Sequence, residues 1–119
     1  MRQSELRKQS KEFAKHIVVL CRKMKNDGLE FALINQLLRA GTSIGANLYE
    51  SEHAQSSKDY ISKFEIALKE CNETVYWLEV LFETGSMDKA SFEALNNECV
   101  SIERMLIASI KTLKERLES

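Results

Sequence analysis

Proline is missing from this chain, and glycine occurs only four times in 119 residues. Long helices are therefore interrupted only where those glycines fall, because proline breaks a helix interior and glycine weakens one by about 1 kcal/mol. No apolar run approaches the roughly 18–20 residues that span a bilayer. Met1 to Glu12 is charged throughout and no apolar segment of the right kind follows. A secretory signal is thus not expected, and the chain reads as cytoplasmic. Disulfides are not expected either. Cys21, Cys71 and Cys99 are odd in number, far apart and in no CxxC arrangement, which fits reduced thiols acting as small hydrophobes.

What the chain does have is helical periodicity. Apolar residues recur every three or four positions through Ile61, Phe64, Leu68, Cys71, Val75, Leu78 and Phe82. The pattern repeats through Phe92, Leu95, Cys99, Ile102, Leu106, Leu113 and Leu117. Residues so spaced share one helix face, and two such stripes joined by a short loop pack antiparallel. Leu6, Phe13, Ile17, Leu20 and Met24 mark an earlier helix over about residues 3–25, which Asn26-Asp27-Gly28 should end. A helix over about 29–52 is expected to bury Phe31, Ile34, Leu37, Leu38, Gly41, Gly45 and Leu48. The last two helices are expected over about 57–84 and 88–117. Ser56 or Ser57 caps the third and Gly85 closes it; Asp88 caps the fourth, with Met87 and Phe92 as a hydrophobic staple. The expected fold is all-α: one domain, an antiparallel up-down-up-down four-helix bundle over residues 1–119.

Gly41 and Gly45 stand four apart on a packing face, where glycine needs a reason. Close approach of a neighbouring helix is the economical one, and a flexible kink is the alternative.

Charge is sorted along the chain although its net value is only −1. Residues 1–28 hold eight Lys/Arg against three Asp/Glu, and the remainder nine against fifteen, so +5 faces −6. Arg7, Lys8, Lys11, Lys15 and Arg22 form a candidate nucleic-acid face, Lys8, Lys11, Lys15 and Arg22 falling opposite the apolar stripe. Alternatively these cations solvate an outer helix or pair with Glu98 or Glu103. No aromatic suited to stacking on bases accompanies them in sequence.

Reactive chemistry finds little support. A bundle di-metal centre needs two Glu-x-x-His motifs, and only Glu50-Ser51-Glu52-His53 supplies one. Gly41-Thr42-Ser43-Ile44-Gly45 lies within a helical pattern, which commits its N–H groups and leaves no phosphate cradle. No catalytic residue, metal, cofactor or small-molecule substrate is expected, and the chain reads as a non-enzyme. Arg39, Thr42, Ser43, Asn47, Tyr49 and Glu50 interleave with the apolar positions of helix two. They form either a solvated face or a subunit contact, with Arg39 or Asn47 bonding Glu70 or Glu73 and with Tyr76 and Trp77 as anchors.

The run Arg39-Ala-Gly-Thr-Ser-Ile-Gly-Ala-Asn47 stands among Asn35–Glu50, Ala54-Gln55-Ser56, Lys58–Ile61, Lys63–Glu70 and Glu73–Leu78. Over essentially its whole length the chain resembles the bacterial four-helix bundle family of 23S rRNA intervening-sequence proteins, many of whose genes lie within insertions in large-subunit ribosomal RNA genes. The resemblance implies a cytoplasmic bundle assembled into a ring-like homo-oligomer, a pentamer, with no established activity. It extends distantly to the accessory variability determinant of diversity-generating retroelements, a pentameric bundle that works with a reverse transcriptase and RNA. That relative is markedly basic, and this chain departs from it in being slightly acidic. Two functions follow as expectations: an oligomeric adaptor contacting RNA or an RNA-bound protein, or a structural module that binds protein alone.

Overall fold

The computed structural model describes residues 2–118, and these form four helices: α1 Arg2–Asn26, α2 Phe31–Ser51, α3 Ser57–Glu83 and α4 Lys89–Glu118. No strand occurs among the described residues. At 1.5 Å per residue the longest, α4, spans about 45 Å, which accounts for a body measuring 52 × 22 × 20 Å. Each helix packs on two others: α1 on α2 and α4, and α3 on α2 and α4. Arg7 of α1 meets Leu48 of α2, whereas Cys21 further along α1 meets Ile34. On the other side Phe82 stacks on Phe92, while Glu65 pairs with Lys114. No helix among the described residues is long and apolar enough to cross a membrane.

The helix ends follow from local chemistry. Gly28 has φ +81°, its N–H donates to Lys25 O, and Leu29 N–H donates back to Met24 O at 3.2 Å. This paired closure satisfies carbonyls at the end of α1. It also commits Leu29 to α1, so α2 starts at Phe31, two residues after the expected Leu29. Gly85, at φ +83°, closes α3 in the same way, with Ser86 N–H on Leu81 O at 2.8 Å. Ser56 caps α3 by accepting from Asp59 N–H at 3.0 Å, and Asp88 accepts from Ser91 N–H at 2.7 Å at the start of α4. That bond holds the Asp88 carboxyl below its ordinary pKa.

The core runs along seams with alternating three- and four-residue spacing, the pattern of interlocking bundle side chains. On α2 these are Ile34, Leu37, Gly41, Ile44, Leu48 and Ser51, all buried. Three expectations need correction. Leu117, at the end of the α4 stripe, is 46% exposed. Phe31 is 60% exposed, in the first turn of α2 with the Lys25 ammonium 5.6 Å from its ring centre. On α3 the most buried line passes through Ala67, Thr74 and Leu81, while Leu68, Val75 and Phe82 flank it half-buried. Small side chains let the neighbouring helices come close there, and the larger ones fill the angles beside them.

Gly41 and Gly45 face α1. A Cβ on Gly41 would lie 2.9 Å from Cγ1 of the buried Ile17, and one on Gly45 would lie 3.4 Å from the carbonyl carbon and oxygen of Ser10. Ser10 is itself buried, so the seam between α1 and α2 sets the glycines of α2 against Ile17 and Ser10 of α1.

Candidate nucleic-acid interface

Lys8, Lys11, Lys15 and Arg22 are exposed along α1, as helical spacing opposite Leu6, Phe13 and Ile17 requires. Arg7 differs. Its Nε donates to Leu48 O at 3.4 Å and its Nη2 to the Tyr60 hydroxyl at 3.0 Å, with Glu52 3.4 Å away. Arg7 is therefore a clamp joining α1 to α2 and α3. Lys15 pairs with Glu12 at 2.7 Å, which holds the Glu12 carboxyl below its ordinary pKa. Glu98, expected as a partner for the basic stripe, pairs instead with His16 at 2.9 Å. Among the described residues Lys8, Lys11 and Arg22 form no ion pair.

A groove of about 300 Å³ opens where α1 and α2 meet. Its floor is Ala14, Gly45 and Ala46, and Lys11, Arg7 and Tyr49 stand around it beside Thr42 and Glu52. The glycine seam creates this groove, since larger side chains at 45 and 46 would fill it. A second cleft runs along α1 beside Lys11, Ala14, Lys15, Val18 and Arg22. The two share Lys11 and Ala14 and so lie side by side along α1, forming a cationic track. This corrects the reading that no aromatic accompanies the basic residues: Tyr49 is 67% exposed and lines the same groove as Lys11. Thirty-eight positions separate the two in sequence, so only the helix pairing could reveal their proximity.

The residues singled out on α2 fall into three sets. Arg39 reaches Glu70 at 3.5 Å and also bonds Glu73, whose carboxylate accepts from Trp77 Nε1 at 3.2 Å. The Arg39 guanidinium holds the Glu73 carboxyl below its ordinary range, and Glu73 in turn raises Arg39. Tyr76, 57% exposed, meets Trp77 edge-on at 4.9 Å. Thr42, Ser43 and Asn47 form the second set, half-buried and bonded back to their own helix. They donate to Leu38 O, Arg39 O and Ser43 O at 2.7, 2.6 and 2.8 Å, satisfying their donors on their own helix. Glu50 pairs with Lys63 at 3.3 Å. Tyr49 makes the third set, about 15 Å along α2 from Arg39 at 1.5 Å per residue, and its ring meets His53 edge-on at 6.1 Å. The pairing of Arg39 with Glu70 and Glu73 thus forms within one chain.

All three cysteines are free thiols in the core. Burial pushes the Cys21 thiol up to about 11. Cys71 is raised by its hydrogen bond with Cys99 and then by burial, and Cys99 Sγ lies 3.6 Å from Cys71 O. Thiols so disposed are poor nucleophiles at neutral pH.

The family model described as 23S rRNA-intervening sequence protein matches residues 2–108. Among solved structures, the chain is similar to the crystal structure of a protein with unknown function from the S23 ribosomal protein family of Bacteroides thetaiotaomicron. The two are 46% identical over 93% of this chain and 99% of that one, with a TM-score of 0.90. No curated protein matches the sequence.

Proposed function

The chain belongs to the 23S rRNA-intervening sequence protein family, and on that premise we propose that it is a non-enzymatic, self-assembling bundle that contacts RNA or an RNA-bound protein through α1. An up-down-up-down course is supported by the contacts of Arg7 with Leu48 and of Cys21 with Ile34, which pair the start of α1 with the end of α2 and the reverse. Self-assembly is supported by the exposed Tyr76 beside the Arg39–Glu73–Trp77 cluster, an aromatic anchor in a polar rim, and a cytoplasmic, pentameric ring is the form that the family resemblance implies.

The observation that carries the RNA reading is the track shared by Lys11, Lys15, Arg22 and Tyr49. It joins Lys11 and Arg22, which form no ion pair among the described residues, and the Glu12-paired Lys15 to an exposed aromatic, and repetition around a ring would multiply its charge. Phosphate contacts by such cations release counterions, so affinity falls steeply with salt. Binding of structured RNA measured at 50 and 200 mM salt, alongside sedimentation equilibrium, tests the proposal. The expected result is an oligomer whose RNA affinity weakens by about tenfold or more across that range. A monomer, or affinity insensitive to salt, would reject it.

A second reading has its own support. Over residues 70–83 α3 carries Glu70, Glu73, Glu79 and Glu83 and no Lys or Arg, with Tyr76 exposed among them. Glu70 and Glu73 are taken up by Arg39, and the exposed Glu79 and Glu83 beside Tyr76 suit a basic protein partner and need no RNA. Charge reversal of Lys8, Lys11 and Lys15 separates the two, because loss of RNA affinity accompanies it only on the first reading.

A further inference from the structure

We infer that the groove between α1 and α2 is a pocket for one unpaired base of single-stranded RNA, with Tyr49 as its stacking platform and Lys11 as its phosphate contact. The inference deepens the RNA reading above and rests on it. Three features of the molecule carry it. Tyr49 is 67% exposed, and its one ring contact among the described residues is edge-on with His53 at 6.1 Å, which leaves most of the side chain accessible to a planar ligand. The floor beneath is Ala14, Gly45 and Ala46, which leaves room for a ring above them. Lys11 stands at the rim, shared with the cleft that continues past Lys15 and Arg22.

The chemistry matches one class of ligand. A base stacked on an aromatic is recognised by its π-face whatever its sequence, and its neighbouring phosphates need cations within a few ångströms. Tyr49 supplies the first and Lys11 the second, while Lys15 and Arg22 extend the cationic track for the phosphates that follow. Glu52 is the one acid in the groove, and it is paired with Arg7 at 3.4 Å. An RNA duplex fits this site poorly, because its bases are already stacked and paired.

The test compares three probes on the full chain: a fluorescein-labelled oligouridylate, a blunt RNA duplex of equal phosphate count, and inorganic polyphosphate. Tyr49→Ala should weaken the oligouridylate roughly tenfold, leave polyphosphate unchanged and leave the denaturation midpoint unchanged. Tyr49→Phe should bind as the parent does, since it keeps the ring. Lys11→Gln should weaken both oligouridylate and polyphosphate. Equal affinity of the parent for single strand and duplex would overturn the inference, as would a Tyr49→Ala protein that still binds oligouridylate at parental strength. Either result leaves the α1 RNA reading standing. A parent that binds none of the RNAs at low salt would overturn both together.

Discussion

The seam between α1 and α2 and the seam between α3 and α4 solve the same packing problem with opposite materials. At the first, Gly41 lies against Ile17 and Gly45 against Ser10, so the helices meet where side chains are small or missing. At the second, large rings meet: Phe82 stacks on Phe92 with centroids 4.5 Å apart and an interplanar angle of 10°. Interiors pack at crystal-like density, so each seam is sensitive to the change that the other tolerates. The first fails by gaining volume and the second by losing it. The difference also explains where the groove lies. Phe82 and Phe92 fill the angle between α3 and α4 at their joined ends, whereas Gly45 and Ala46 leave the angle between α1 and α2 open to solvent.

Removing volume should do the greater damage on the α3 side. Phe64 is fully buried and stacks on Tyr60 at 4.9 Å. Phe64→Ala is expected to cost about 3–5 kcal/mol, the lost transfer energy plus a cavity that the rods cannot collapse. Urea denaturation monitored by circular dichroism measures it, and a cost below that of the glycine substitutions would break the contrast. Adding volume should come next, on the α1 side. Gly41→Leu drives three carbons beyond a Cβ that already meets Ile17 at 2.9 Å. The expected cost is about 2–3 kcal/mol from overpacking, read from the same midpoints. If Gly41→Leu were as stable as the parent, the glycine would mark a kink and not a close approach.

Alanine sharpens the comparison within one seam. At either glycine, alanine gains about 1 kcal/mol of helix propensity. At Gly45 the new Cβ would meet Ser10 at 3.4 Å, an ordinary contact, so Gly45→Ala should be neutral or stabilise by up to about 1 kcal/mol. At Gly41 the branched Ile17 must move, so Gly41→Ala should destabilise by about 1 kcal/mol despite the same gain. Opposite signs for two glycines one helical turn apart are the expected result. Matching signs would mean that the backbone separation, and not Ile17, decides.

Much of this was legible in the chain and some was not, for reasons that particular residues make plain. Gly28, Gly85, Ser56 and Asp88 announce helix ends because their roles are local, set by φ or by a side chain reaching three residues on. The α2 start was misread because Leu29 looks like an apolar first turn, while its N–H is already spent on Met24 O. The inner line of α3 was misplaced for a related reason. Ala67 and Thr74 carry little hydrophobic signal, so periodicity favours the bulky Leu68, Val75 and Phe82, which lie half-buried beside the true seam. Arg7 reads as part of the candidate nucleic-acid face, and its anchoring to Leu48 O and the Tyr60 hydroxyl depends on helices far along the chain. Tyr49 could not have been assigned to Lys11 by spacing at all, because their meeting belongs to the helix pairing.

The smallest effect expected is electrostatic, and it also separates the two sides. Lys114 of α4 pairs with Glu65 of α3 at 2.8 Å, both side chains about half exposed, while the cation joining α1 to α2 is the half-buried Arg7. Hydrogen bonding to Glu65, with its charge, raises the Lys114 pKa above its ordinary value of 10.5. A raised folded-state value means that the pair stabilises the fold fully below 10.5 and that this contribution fades as pH rises through the higher folded value. Lys114→Met should therefore shift the denaturation midpoint only slightly at pH 7, because solvent screens an exposed pair. The shift should shrink towards zero once the pH passes the Lys114 value in the folded protein. A Lys114→Met shift that vanished already well below 10.5 would show that general alkaline loosening, and not this pair, is being measured.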